Sequence, residues 1–95
     1  MAVYFLVDVK VEDPETYEEY RKLVRPTVDL YDGKFLARGG TIETIEGDWQ
    51  PERLVIIEFA DSEAFQRWYD SPEYTSARAI RFAASTSRAV LLQGI

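Results

Sequence analysis

The sequence predicts an α+β fold in which one four-stranded antiparallel sheet carries helices on a single face. Strand and helix patterns follow one another in the order β-α-β-β-α-β. The pairs Asp13-Pro14 and Ser71-Pro72 are typical helix starts, an N-cap residue followed by a proline at the first helical position. Residues 54–57, LVII, are apolar at every position, so both faces of the sheet need cover. Right-handed crossovers then give the ferredoxin-like arrangement.

Residue spacing predicts the first strand and the first helix. Residues 2–10, AVYFLVDVK, alternate so that one face is uniformly apolar. The helix begins after Asp13 and carries apolar residues at steps of three and four until Asp32. Pro26 lies inside this helix and lacks the N–H of a helical hydrogen bond, so we expect a kink or a break near Arg25.

Two strands joined by a polar turn are predicted within residues 34–60. The first of them contains Gly39 and Gly40, and two adjacent glycines in a strand indicate a bulge, a bend or the close approach of another group. No helix start follows them, so they do not predict a phosphate-binding loop. The second strand is expected from about Arg53 to Ala60.

Two short helices and a last strand complete the prediction. Asp61 caps a helix whose Phe65 and Trp68 are spaced to face the core. Ser71 caps the next helix, and a strand follows at residues 88–93, RAVLLQ.

The composition limits the possible chemistry. The 95 residues predict a single domain, 1–95, because a divided chain would give two cores too small to be stable. Cysteine and histidine are absent, which excludes disulfides, thiolate nucleophiles, histidine-based triads and imidazole metal sites. A carboxylate site for magnesium or calcium stays open, but no D-x-D-x-D run supports it, and we expect no metal and no cofactor.

Charge and hydropathy limit the partners. A formal net charge of −6 argues against binding to a nucleic acid backbone. The apolar run at residues 2–7 is far shorter than the roughly 20 residues of a membrane span. No membrane partner is therefore predicted, and a cytoplasmic location is the default expectation.

One face of the predicted sheet has no helix to cover it. The helices are expected to cover Val3, Phe5, Val7, Val55, Ile57 and Phe59. The opposite face then shows Tyr4, Leu6, Leu54, Ile56, Val90 and Leu92. Because a monomer would leave this apolar surface in water, we expect a homodimer that packs sheet against sheet.

Several short runs together resemble the domain of unknown function 1330 family. They are Tyr20 with Pro26, LARGG at 36–40, EGDW at 46–49, Pro51 with Arg53, Glu58-Phe59 and WYDSPEY at 68–74. The resemblance covers essentially the whole chain. It implies a dimeric α/β barrel, in which two ferredoxin-like chains face their sheets together and enclose a cavity.

The superfamily that this resemblance implies contains several kinds of protein. They include small cofactor-independent mono-oxygenases, muconolactone isomerase-like enzymes, haem enzymes and effector-binding domains of transcription regulators. The haem branch needs a histidine that this chain lacks. The resemblance therefore gives a fold and a place to look for a site, and it does not give a reaction.

Three charged residues are the candidates for catalysis. Asp8 and Glu58 share the parity of the face expected in the dimer, and Arg38 lies on a neighbouring strand. In a partly dry cavity the carboxylates could accept a proton while Arg38 holds an anionic or carbonyl oxygen. A structural salt bridge among the three residues would give the same pattern.

Arginines and aromatic residues are the candidates for ligand binding. Arg53, Arg78 and Arg81 could join Arg38 in holding an anion, with Arg81 the first to test. Alternatively, Arg78 and Arg81 could pair with Glu73 or solvent. An aromatic ligand could contact Tyr20, Trp49, Trp68 and Tyr74, although Trp68 at helical spacing from Phe65 is typical of a core residue. Glu46 in the predicted turn completes the candidate ligand-binding residues.

The sequence therefore predicts a homodimer that binds a small aromatic or carboxylated molecule in a cavity near the dimer interface. If it is an enzyme, acid–base chemistry or cofactor-independent oxygenation fits these residues best. The alternative is a non-catalytic ligand-binding or interaction module whose acids and arginines are structural.

Overall fold

The computed structural model describes residues 1–95 and has seven helices and strands. In chain order they are β1 (Val3–Val11), α1 (Pro14–Leu30), β2 (Lys34–Arg38), β3 (Arg53–Phe59), α2 (Ser62–Tyr69), α3 (Pro72–Ala84) and β4 (Ser85–Gln93). The strands form one sheet in the order β2-β3-β1-β4, and all three pairings are antiparallel. The predicted ferredoxin-like α+β fold is confirmed.

A single core lies between the helices and one face of the sheet. Its strand residues are Val3, Phe5, Val7, Val9, Val55, Ile57 and Phe59, which include all six that the alternation predicted. Trp68 of α2 is fully buried and stacks on Tyr74 of α3 with 3.9 Å between ring centroids. The period-2 pattern of β1 and β3 therefore places the core on the helix side.

Each helix begins at a side-chain cap that the sequence indicated. Asp13, Asp61 and Ser71 accept hydrogen bonds from backbone N–H groups three residues further on. These caps satisfy N–H groups that a helix start leaves without a partner.

The predicted break of the first helix is not found. The helix α1 runs from Pro14 to Leu30 through Pro26 without interruption. Val24, Thr27 and Val28, on both sides of the proline, are buried. Their packing holds the two halves in one helix although one backbone hydrogen bond is missing.

Two strand predictions also need correction. The strand β4 begins at Ser85, not at Arg88, and its first residues STS pair with the end of β1. These polar residues have no hydrophobic alternation, so the sequence pattern did not show them as strand. The strand β2 ends at Arg38, before the glycine pair, and its irregularity lies at Leu36, between Phe35 and Ala37.

The other face of the sheet carries no helix. Leu6, Leu54 and Ile56 are only partly buried there, while Val90 is 62% and Leu92 is 56% exposed. In this chain none of the helices has the length and apolar character that crossing a bilayer requires. We call this surface the open face.

Candidate functional site

A pocket lies between α1 and the helix side of the sheet. Its floor is apolar and includes Val7, Val9 and Val55 of the central strands. Tyr17 and Tyr20 of α1 form part of its wall. Arg38, Arg53 and Arg81 line the same pocket and come from β2, β3 and α3. We call these three residues the arginine cluster.

Arg81 is the most buried member of the arginine cluster. It is only 3% exposed, in the last turn of α3. One guanidinium nitrogen, Nη1, donates to Ser87 Oγ at 3.1 Å, and its buried Nε has no hydrogen-bond partner. No carboxylate lies within ion-pair distance of this side chain. A buried cation with an unused donor is costly unless a ligand completes it.

Arg53 shares this incomplete hydrogen bonding. Its buried Nε also has no partner, and its guanidinium lies 5.6 Å from the ring centroid of Tyr17. Gly39 makes room for the guanidinium, because a Cβ atom built there would lie 2.0 Å from Arg53 Nη1. Gly39 has a φ of +72°, which only glycine adopts without strain. The predicted close approach to the glycine pair is therefore found at Gly39.

Arg38 lies nearer the surface of the pocket. Its Nη2 donates to the backbone carbonyl of Arg21 at 2.9 Å, and its guanidinium lies 4.7 Å from the ring centroid of Phe35. The pKa of Arg38 is lowered, first by burial and then by the positive charges of Arg21, Arg25 and Arg53. The electrostatic environment of the pocket is therefore positive and suited to an anion.

No acidic residue lines the pocket. The three ion pairs of the chain are Arg21–Glu18, Arg25–Asp29 and Arg88–Asp8, and none involves the arginine cluster. The pocket is lined by four arginines, Arg21 and the arginine cluster, in a chain whose net charge is −6. The positive charge of the pocket is therefore opposite to that of the chain as a whole.

Two tyrosine hydroxyls meet beside Arg81. Tyr20 and Tyr74 are buried, and their oxygens lie 3.0 Å apart, with either able to donate. Burial is the main cause that raises the pKa of both phenols. Both hydroxyls therefore stay protonated at neutral pH and act as hydrogen-bond donors or acceptors, not as bases.

The pocket is small and partly open to solvent. Its cavity volume is about 20 Å³, close to what one water molecule needs. Arg21 is exposed, and Phe35, Arg38 and Arg53 are partly exposed, so these lining residues mark the side that faces solvent. A ligand larger than water must displace side chains of the pocket. Arg38 can move most easily, because a ligand carboxylate could replace its single hydrogen bond to the Arg21 carbonyl.

The three predicted catalytic residues do not come together. Asp8 is paired with Leu54, and Glu58 with Tyr4, so the two acids are separated along the sheet by four residues, or about 13 Å. The irregularity at Leu36 adds one residue to β2, so Arg38 pairs with the buried Val55 and lies on the helix side. Simple alternation from Lys34 would have placed Arg38 on the open face.

Asp8 has other partners on the open face. Its Oδ2 accepts from Arg88 Nη2 at 2.9 Å and from Trp49 Nε1 at 3.2 Å. Asp8 therefore forms a salt bridge, as the structural alternative expected, but its partner is Arg88 and not Arg38. A separate shallow cavity of about 210 Å³ lies beside these residues on the open face.

The remaining candidates divide between core, surface and pocket. Trp68 is a core residue and donates from Nε1 to Thr27 Oγ1 at 3.0 Å. Glu46 is exposed in the connection between β2 and β3. Arg78 donates to the Tyr69 carbonyl, so it does not pair with Glu73 and does not line the pocket.

Sequence reasoning missed three residues of the site. Tyr17 and Arg21 lie on α1 within one turn of Tyr20, and that helical spacing was the available signal. Ser87 lies in the polar start of β4, where no sequence pattern indicated a strand. The structure has no group of three or more Asp and Glu side chains placed to hold a metal ion.

The comparisons with known proteins agree with this fold. The sequence model of the family described as Domain of unknown function (DUF1330) matches residues 2–95. No curated protein matches the chain.

Several solved structures are similar to the chain. A protein of unknown function from Rhodopseudomonas palustris is 22% identical, with a TM-score of 0.82 over 99% of this chain and 82% of that one. A dimeric ferredoxin-like protein of unknown function from Jannaschia sp. CCS1 is 17% identical, with a TM-score of 0.79 over 99% and 100%. SnoaB, a cofactor-independent oxygenase from Streptomyces nogalater, is 20% identical, with a TM-score of 0.63 over 99% and 93%. At these identities the likeness shows the fold.

Proposed function

The chain belongs to the DUF1330 family, and from the geometry of its pocket we propose that it binds a small, largely apolar molecule that carries a carboxylate. The observation that supports this most is the arginine cluster, three guanidinium groups around one apolar pocket with no acidic partner. The ligand lies between α1 and the sheet, not at the open face where the sequence placed the cavity.

The chemistry of the pocket matches the two parts of such a ligand. A guanidinium presents a planar set of N–H donors that binds a carboxylate with two hydrogen bonds. The unused Nε groups of Arg53 and Arg81 are such donors. The valine floor and the rings of Tyr17 and Tyr20 offer apolar contact to the body of the ligand.

Binding is favoured over acid–base catalysis in this pocket. Asp8 and Glu58, the expected proton acceptors, lie on the open face. The nearby Tyr20 and Tyr74 have raised pKa values because they are buried, and they keep their protons at neutral pH. The pocket thus supplies donors for an anion and no ready base.

Cofactor-independent oxygenation of the bound molecule is the second candidate. It is supported by the similar fold of the Streptomyces nogalater enzyme, which is described as a cofactor-independent oxygenase. Oxygen uptake in the presence of phenolic aromatic acids, absent in an Arg53→Gln variant, would favour this function over binding alone.

The experiment that tests binding uses 4-methylbenzoate as the probe. Isothermal titration calorimetry is carried out on the wild type and on the variants Arg38→Gln and Arg53→Gln. We expect each variant to bind at least about tenfold more weakly, which is the usual cost of losing one charge-assisted hydrogen bond. Arg67→Gln, an exposed arginine of α2, is the matched control and keeps wild-type affinity. Equal affinity in all four proteins would remove the proposed site.

We also propose that two copies of the chain pack through their open faces. Val90 and Leu92 are more than half exposed there, next to the partly buried Leu6 and Ile56. Similar structures from Jannaschia sp. CCS1 and Thermobifida fusca are described as dimeric ferredoxin-like proteins. Light scattering is expected to give twice the mass of one chain.

A further inference from the structure

The arginine cluster approaches the pocket from two sides. On the sheet, Arg53 of β3 and Ser87 of β4 both pair with Val9 of β1, so Val9 lies between them. The guanidinium of Arg53 lies against Gly39, towards the β2 edge, whereas that of Arg81 is bonded to Ser87 on β4. The two unused Nε donors therefore belong to opposite ends of one apolar floor.

The sheet geometry sets the span between these ends. Gly39 directly follows β2 and Ser87 lies in β4, the two edge strands of the order β2-β3-β1-β4, which are about 14 Å apart at three strand spacings. The guanidinium groups of Arg53 and Arg81 occupy the two ends of this width, and the ligand lies between them.

The charges of the pocket indicate a ligand with two acidic groups. Arg38 and Arg53 approach from the β2 and β3 side and Arg81 from the β4 side, and no acid of the chain neutralises any of them. One carboxylate at the Arg38–Arg53 end would leave Arg81, which is 3% exposed, without a counter-ion. A second acidic group at the Arg81 end would use its free Nε and compensate the buried charge.

We propose that the ligand is a dianion, a compact dicarboxylate whose apolar body lies over Val9 with one acidic group at each end. This inference rests on the proposed binding function and adds to it the role of Arg81 as the second anion contact. Arg81 is then the residue that distinguishes dicarboxylates from monocarboxylates.

Two ligands of the same shape test the proposal. Terephthalate and 4-methylbenzoate share the ring and differ only in the group opposite the first carboxylate. We expect calorimetry to give at least tenfold tighter binding of terephthalate to the wild type. In Arg81→Met this preference should fall to less than twofold, because terephthalate loses more affinity than 4-methylbenzoate does.

A second variant covers the case in which Arg81→Met does not fold. Arg81→Lys keeps the charge and loses the planar fork, so we expect it to retain at least a threefold preference for terephthalate. Equal binding of the two acids to the wild type would overturn the dianion proposal. The proposal would also be overturned if a variant of Arg81 weakened the binding of both acids equally. Arg81 would then only support the structure of the pocket.

The two proposals fail in different ways. If 4-methylbenzoate binds through Arg38 and Arg53 and terephthalate binds no tighter, the proposed function holds and the dianion inference is wrong. If neither acid binds to the wild type, the proposed function is contradicted and the dianion inference with it.

Discussion

At the scale of single residues, the pocket depends on side chains that the fold holds in costly positions. Arg81 is buried without an acid, and the guanidinium of Arg53, whose Nε has no partner, lies against a glycine of positive φ. Such features lower stability and persist where they serve a ligand. Because these features cost energy, substitutions at them should change the free energy of unfolding by a measurable amount.

Gly39→Ala is expected to damage the site. The added Cβ meets Arg53 Nη1 and forces a left-handed backbone on alanine, so the free energy of unfolding should fall by about 1–2 kcal/mol. Displaced Arg53 should also weaken the binding of 4-methylbenzoate. Urea denaturation and calorimetry measure the two effects.

Gly40→Ala is the matched control for this change. A Cβ at Gly40 meets no atom within 4 Å, so stability should stay within about 0.5 kcal/mol of wild type. If the two alanine variants behave alike, Gly39 does not position Arg53.

The tyrosine pair should make stability fall at alkaline pH. Burial raises the pKa of Tyr20 in the folded protein, whereas an unfolded tyrosine ionises near its ordinary value of about 10. The stabilisation is fully present below that value and is lost as pH rises through it towards the folded pKa.

Tyr20→Phe removes one of these groups. Between about pH 9 and 11 the variant should lose about 1 kcal/mol less stability than the wild type. Urea denaturation at several pH values gives both curves. Parallel curves would show that Tyr20 does not contribute to the alkaline loss.

At the scale of secondary structure elements, α1 contains a defect that its packing tolerates. Pro26 leaves the helix without one backbone hydrogen bond, yet the buried residues around it keep the helix continuous. The helix forms part of the pocket wall through Tyr17, Tyr20 and Val24, so its continuity positions the site.

Pro26→Ala is therefore expected to stabilise the protein. In a helix interior, proline lowers stability by about 3 kcal/mol relative to alanine. Proline also restricts the unfolded chain, which stabilises the folded state by about 0.4–1 kcal/mol. We expect a net gain of about 2 kcal/mol in urea denaturation.

Pro14→Ala provides the comparison within the same helix. Pro14 occupies the start of α1, where its missing N–H is not needed, so its replacement should lower stability by up to about 1 kcal/mol. A loss of stability in Pro26→Ala would show that the proline is favourable in α1.

The elements also show what local patterns can and cannot predict. The strands β1 and β3 and the caps Asp13, Asp61 and Ser71 were predicted correctly because alternation and capping are local properties. The polar start of β4 at Ser85 was missed because it is held by pairing with β1, a distant segment.

The site was predicted less completely than the fold. Arg38, Arg53, Arg81 and Tyr20 were among the candidates and line one pocket. Their separation from Asp8 and Glu58 depends on one extra residue at Leu36 and on strand register, which no local pattern encodes.

The burial of Arg81 is a further example of this limit. A charged residue on a helix is usually exposed, so the sequence favoured pairing with Glu73 or solvent. The structure instead places its guanidinium beside Ser87, and Glu73 accepts from Tyr31 Oη at 2.8 Å. The polar contacts of β4 that hold Arg81 appear only in three dimensions.

At the scale of the whole molecule, the two faces of the sheet carry different features. The helix side holds the core and the arginine cluster, and the open face carries apolar residues suited to a second copy. The proposed ligand binding and the proposed association therefore use separate surfaces, and each can be altered without the other.

Val90→Lys and Leu92→Lys are expected to convert the proposed dimer to a monomer. Each places a charge in an apolar contact, at a cost of several kcal/mol per buried unpaired ion. Sedimentation equilibrium at micromolar concentration measures the mass, and 4-methylbenzoate binding should persist.

Phe82→Lys is the control for this experiment. Phe82 is 58% exposed, much like Val90 at 62%, but lies on α3 and not on the open face. It should leave the dimer intact. A wild type that stays monomeric at micromolar concentration would contradict the proposed association.

The binding of a carboxylate by the arginine cluster is the central claim, and NMR can observe it directly. In a titration of ¹⁵N-labelled protein with 4-methylbenzoate, the Nε–H signals of Arg38 and Arg53 should shift and saturate together, while that of Arg67 stays unchanged. If the signals of Arg38 and Arg53 do not move at millimolar ligand, or move no more than that of Arg67, the pocket is not the anion site.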